Sequence, residues 1–155
     1  VRVEKDGRLC RCGRHGCLET RVASHPIARH LRQVCSPETA PLLWAAVDGR
    51  PEKITVHNLA ELVSLDEPAL WEALDADIGL LADVVGGMLT MLTPDHLILY
   101  GAMFKLPHFR EKFLAACKRY DPAYDEDYIR VSELDEKLEY IGPLAVVTNE
   151  LFYQG

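Results

Sequence analysis

The sequence predicts an α/β fold, a mixed sheet flanked by helices, and three observations carry that prediction. Leu70, Leu74, Ile78, Leu81, Val85, Met88, Leu89 and Leu92 recur at the three-to-four spacing of one helix face, giving a long helix over 68–92. Thr93-Pro94-Asp95 stops that helix, and the short apolar run 96–100 follows as a strand closed by Gly101. Helix and strand then alternate again through 109–120 and 128–134, and Gly142-Pro143 opens a last helix to about Phe152. In such an order the ligand edge is expected where a strand ends in glycine. No repeat, low-complexity run or linker divides the chain, so residues 1–155 are expected to form a single domain.

Taken in order, 1–4 alternates apolar and polar residues, and Lys5-Asp6-Gly7 turns the chain as a hairpin-like start. The next segment is the most informative. Cys10, Cys12 and Cys17 stand in the run Cys-Arg-Cys-Gly-Arg-His-Gly-Cys-Leu-Glu. A Cys-x-Cys pair with a third Cys five residues later is metal-ligand spacing, and three soft thiolates supply three corners of a tetrahedral zinc site. Gly13 and Gly16 give the positive φ that a loop curling round one ion requires. Two other readings stay open. A Cys10–Cys12 disulfide would close a very short, strained loop, and five cysteines cannot all pair. The thiols could also be free, though glycines, Arg8, Arg11 and Arg14 around them are poor core company. His15 and His25 are candidate surrogates for the fourth corner, against the ordinary role of exposed histidines. Cys117 sits in an apolar helical run and reads as a core residue, and Cys35 ends a helix with no obvious partner.

After the loop, 18–23 and 26–34 read as two short helices broken near Ser24-His25-Pro26, with Pro26 tolerable in a first turn. Further helices are expected over 37–47, ended by Asp48-Gly49-Arg50-Pro51, and over 58–63. Inside the long helix, Gly86 and Gly87 cost about 1 kcal/mol each relative to Ala, and they point to another backbone packing closely there.

Composition narrows the function classes. The chain is 48% apolar and 26% charged, ordinary for one modest globular core. No apolar run approaches the ~20 residues of a membrane helix. A net charge of -7 argues against this segment gripping nucleic acid by itself. No secretory signal is legible, so a reducing, cytoplasmic setting is the expectation.

The run Cys10 to Glu19 resembles the zinc-binding motif of the ROK family, which takes in sugar kinases, sugar-responsive transcriptional repressors and open reading frames of unassigned role. The stretch from Leu80 through the Thr93-Pro94-Asp95 stop to Gly101 is similar to the family's long helix and the strand leading to its nucleotide loop. The resemblance implies the C-terminal lobe of an actin-like, ribonuclease-H-like fold, with the other lobe, its phosphate loop and its catalytic Asp outside this chain. It implies structural zinc on Cys10, Cys12 and Cys17, with the family's fourth ligand, a His, lying upstream of Val1. It implies that Glu19 accepts hydrogen bonds from a small sugar or amino sugar. By spacing alone Glu19 reads equally as a surface carboxylate favoured at a helix start.

Gly101 and Ala102 fall where the resemblance places nucleotide contacts, and here the sequence departs from the kinases. Where they carry a Gly-Gly pair, this chain has Gly101-Ala102-Met103-Phe104, and their small-residue run before the last helix is Gly142-Pro143-Leu144. Both changes disfavour ATP and point to the regulator branch, a sugar-sensing homo-oligomer that meets DNA only through an N-terminal domain outside this chain. An ATP-dependent, glucokinase-like sugar kinase is the competing expectation, and a zinc-stabilised interaction module is a third. Whether the whole protein is an enzyme stays open, leaning to no, and on any of these readings the chain alone is expected not to phosphorylate a sugar, since the catalytic lobe lies outside it.

Overall fold

The computed structural model describes residues 1–65 and 67–133, and its axis is the long helix that the apolar stripe announces. The order is α1 (Glu19–Val22), α2 (Ser24–Val34), α3 (Pro41–Ala46), α4 (Leu59–Val63), α5 (Pro68–Leu92), β1 (Leu97–Leu99), α6 (Pro107–Cys117) and β2 (Ile129–Val131). Single 3₁₀ turns lie at Pro51–Lys53 and Ala102–Lys105. Helices α2, α3, α5 and α6 meet around Leu31, Leu43, Leu70, Leu74, Leu89, Phe113 and Cys117, all essentially without solvent contact. Each such side chain contributes about 1.5–3 kcal/mol through apolar area removed from water.

Helix α5 has the bounds the sequence predicts, with Pro68 in its first turn. It ends where Thr93 turns left-handed at φ 42° and donates its N–H to the Leu89 carbonyl at 2.9 Å. Its buried line differs from the expected one in the second half. The inward residues are Leu70, Leu74, Asp77, Ile78, Ala82, Gly86 and Leu89, whereas Met88 and Leu92 are 42% and 67% exposed. Small residues take the inner line because the chain leaving α6 lies against it. A Cβ on Gly86 would stand 2.6 Å from Tyr120 Cγ. The close approach is thus an aromatic ring rather than a backbone, and Gly87 faces open space.

Strands β1 and β2 pair in parallel, Leu97 with Ile129, Ile98 with Arg130 and Leu99 with Val131, with α6 as the crossover. Leu99 and Ile129 point into the core, but Ile98 is 59% exposed. Among the described residues the sheet is therefore covered on one face, not on both as the continuous apolar run suggests. Helix α3 starts four residues later than expected. Pro41 sets its first turn, and the Glu67 carboxylate accepts the Leu42 N–H at 2.9 Å from far along the chain. The expected end of the second strand at Leu134, the final helix and Gly142-Pro143-Leu144 lie outside the described residues. No helix among the described residues is long and apolar enough to cross a membrane.

Candidate metal centre and neighbouring cleft

The first eighteen residues form two nested loops rather than a regular hairpin. Val3 and Glu4 both donate their N–H to the Gly16 carbonyl, at 2.7 and 3.1 Å, and Leu18 N–H reaches the Val1 carbonyl at 2.9 Å. Inside that outer pairing, Gly16 N–H bonds the Arg8 carbonyl at 2.9 Å and Cys10 N–H bonds the Arg14 carbonyl at 2.7 Å. Gly13 and Gly16 take φ of 81° and 69°, the left-handed region that glycine occupies without strain. Any side chain at Gly16 would also run into the Glu4 backbone.

This folding brings Cys10, Cys12 and Cys17 together, with all three sulfurs within 4.8 Å of one another and 3.5 Å between Cys12 and Cys17. Four sulfur bonds of ~2.3 Å arranged tetrahedrally require sulfur separations of about 3.8 Å, so the three thiols already stand close to the geometry of a zinc site. All five cysteines are free thiols. Backbone and then side-chain hydrogen bonding by Arg14 holds the Cys12 thiol down to about 6, so it is ready to lose its proton. Its hydrogen bond with Cys12, followed by burial, pushes Cys17 up to about 11. A soft, closely spaced sulfur set with one ready thiolate fits zinc, which would draw off the remaining protons when bound.

The fourth corner is not supplied by the nearby histidines. His15 Nδ1 is 3.0 Å from the Gly7 carbonyl, and His25 stands exposed in the first turn of α2. Among the described residues neither belongs to the sulfur group. Of the two unassigned cysteines, Cys117 is fully buried at the end of α6, and burial pushes its thiol up to about 11. Cys35 is buried where α2 ends, and burial raises its thiol as well.

Glu19 opens α1 directly beyond this loop. Its Oε2 accepts from Cys10 Sγ at 3.6 Å and its Oε1 pairs with Arg11 Nε at 2.9 Å, leaving the side chain 45% exposed. The carboxylate therefore sits half-exposed on the rim of the sulfur cluster. Gly101 and Ala102 lie elsewhere, past the opposite end of α1. They border a cleft of about 580 Å³ walled by Val22, Ile27, Leu81, Met103, Phe104 and Phe109. Its described lining holds no Lys or Arg, and Gly101 bends there at φ 130°. The structure thus gathers the three cysteines with Glu19, and places Gly101 and Ala102 together at a separate opening.

One functional group escaped the sequence reading. Asp77 is buried on α5 and accepts two bonds from Arg21, Nε at 3.1 Å and a terminal nitrogen at 2.6 Å, while His30 Nδ1 stands 3.4 Å from its other oxygen. Arg21 also pairs with Glu4, and the two carboxylates raise its already high pKa. These contacts pin the cysteine loop, α1 and α2 to the long helix. The signal was present in the sequence, since Asp77 falls on the apolar face between Leu74 and Ile78, where a carboxylate requires a cation.

The model of the ROK family matches residues 1–149. The chain belongs to the ROK family. Its relatives by sequence include a glucokinase of Thermotoga maritima, 28% identical over 103 residues, covering 66% of this chain and 32% of that protein. A glucokinase of Streptomyces coelicolor is 34% identical over 62 residues, 39% of this chain and 20% of that protein. Among solved structures, a ROK family glucokinase from Streptomyces griseus, in complex with glucose and AMPPNP, aligns with a TM-score of 0.71 at 20% identity. That alignment covers 100% of this chain and 50% of the glucokinase. A ROK family transcriptional regulator, a homolog of the E. coli MLC protein, aligns with a TM-score of 0.58 at 16% identity over 84% of this chain and 32% of its own. The ROK chain described here therefore spans half or less of these relatives' length, and it shares its mixed α/β fold with both a kinase and a regulator.

Proposed function

We propose that this chain is the C-terminal, carbohydrate-binding lobe of a ROK-family transcriptional regulator, built on the actin-like fold and stiffened by structural zinc. The observation that carries the reading is the seat of Glu19 on the rim of the three-sulfur cluster, paired with Arg11 and beside Cys10, whose thiol contact would give way to the metal. Cys10, Cys12 and Cys17 would hold the metal, which supplies rigidity and no reactive step. Glu19 then presents a carboxylate that accepts hydrogen bonds from two sugar hydroxyls, and the fixed loop behind it keeps that geometry. A small sugar or amino sugar bound there would favour one arrangement of the lobes over another, a population shift set by its differential affinity. DNA contact would fall to a domain outside these residues, and a homo-oligomer would convert the shift into altered spacing of two such domains.

The regulator branch is favoured by the cleft at Gly101 and Ala102. Met103 and Phe104 stand beside Gly101 and Ala102 on its lining, bulk at the edge where a nucleotide base and ribose would have to approach the backbone. A glucokinase-like kinase is the second reading, favoured by the relatives by sequence, which are glucokinases. Calorimetry on the intact gene product with hexoses, amino sugars, xylose and an ATP analogue separates the two. The regulator reading expects sugar binding that Glu19→Gln weakens by about tenfold or more, since hydrogen bonds to a charged group are worth ~1.5–3 kcal/mol. It also expects no nucleotide binding. Nucleotide binding with sugar phosphorylation would transfer the assignment to the kinase, and absence of any sugar binding would remove both.

A further inference from the structure

A second cavity, this one polar, is lined by the Asp77 network itself, between the cysteine loop, α2 and α5. It encloses about 290 Å³ and is bordered by Arg8, Thr20, Arg21, Arg29, His30 and Gln33. Three features give it a definite chemistry. First, its two carboxylates are already committed, since Asp77 is held by Arg21 and faced by His30, and Glu4 is paired with Arg21. Second, Arg8 and Arg29 have no ion-pair partner among the described residues, though both border the same space. Arg29 and Gln33 lie one turn apart on α2, so a guanidinium and an amide from this helix border the same space as Arg8 of the loop. Third, charge is segregated along the chain. Residues 1–34 carry eight Lys and Arg against three Asp and Glu, a net +5 within a chain of -7. The cavity therefore sits in the positive part of the molecule's field, which concentrates anions.

We propose that this cavity binds a compact oxyanion of the phosphate-monoester class. Two unpaired guanidinium forks suit planar or tetrahedral oxyanions through paired N–H donors, and the Gln33 amide adds a neutral donor. The volume lies at the small end of the ~300–1,000 Å³ of ordinary ligand pockets, which favours a phosphate on a small body over a nucleotide. A bound anion would bridge Arg8 of the cysteine loop to Arg29 of α2, adding a tie beside the one that Asp77 makes. The site is separate from Glu19 and the sulfur cluster, so it stands or falls independently of the sugar reading.

The test is a titration of the metal-loaded, ¹⁵N-labelled chain with inorganic phosphate and with a hexose 6-phosphate, at constant ionic strength, followed by amide spectra. The expected result is saturable shifts at Thr20, Arg29, His30 and Gln33. Arg8→Gln and Arg29→Gln should each weaken binding by about tenfold, the loss of one charge-assisted contact. Lys5→Gln, in the separate basic recess with Arg2 and Arg14, should change it by less than about twofold. Tighter binding of the ester than of phosphate would identify the ligand as a phosphorylated metabolite, and equal binding would identify free phosphate. Both guanidinium groups are exposed, so the variants should keep well-dispersed spectra; if one does not, Gln33→Ala replaces it as the probe. Non-saturable shifts, or equal losses in Lys5→Gln and Arg29→Gln, would overturn the site in favour of diffuse surface charge.

Discussion

The cysteine loop and the helical core are stabilised by different physics. Within residues 1–18 the only buried apolar-type side chains are Cys10 and Cys17, and order comes from crossed backbone bonds and two left-handed glycines. From α2 onward the chain is held by Leu, Ile and Phe side chains packed without solvent contact. A loop that buries so little offsets little of its own conformational entropy, and on the proposed reading a bound ion makes up the difference. The core needs none. Arg21 joins the two, because its guanidinium holds Glu4 on one side and Asp77 on the other.

That division can be broken from either end. The largest effect should come from Cys17→Ser, which takes the metal content of the chain from one zinc to none. Amide exchange should then show residues 1–18 losing protection while α5 and α6 keep theirs. Loss of protection throughout would mean the two regions are one cooperative unit. Phe113→Ala should act in the opposite sense, lowering stability by about 3–5 kcal/mol in denaturant titration while the folded protein keeps its zinc. Asp77→Ala should touch both regions, costing ~1–3 kcal/mol and weakening zinc retention against a chelator, because Arg21 loses its inner anchor. Unchanged zinc retention would deny the network its role as a staple. The smallest effect is a change of sign. Gly86→Ala should destabilise by about 1 kcal/mol, since overpacking against Tyr120 outweighs the better helix propensity, and should become stabilising in a Tyr120→Ala background.

What the sequence disclosed follows the same division. The bounds of α5 were legible because a 25-residue helix shows its period many times over and both ends carry proline signals. The sulfur cluster was legible because ligand spacing and glycines are local. The inner line through Ala82 and Gly86 was not, since the reason for it, the Tyr120 ring, arrives from 34 residues away. The open face of β1 was hidden for a related cause, because three residues of apolar strand look alike whether one face or two are covered. Asp77 was passed over as one more polar residue in a helix, although its partners Arg21 and His30 lie 56 and 47 residues distant. Glu19 was picked out by its motif, and the structure adds that Arg11 pairs with it beside Cys10.

The most direct check on the account is calorimetric titration of the intact, zinc-loaded gene product with a panel of monosaccharides, repeated after the metal is stripped. One sugar should bind to the loaded protein, and its affinity should collapse on stripping as it does in Glu19→Gln. A sugar that binds equally well with and without the metal, and equally well to the variant, would contradict the claim that the cysteine loop exists to aim that carboxylate.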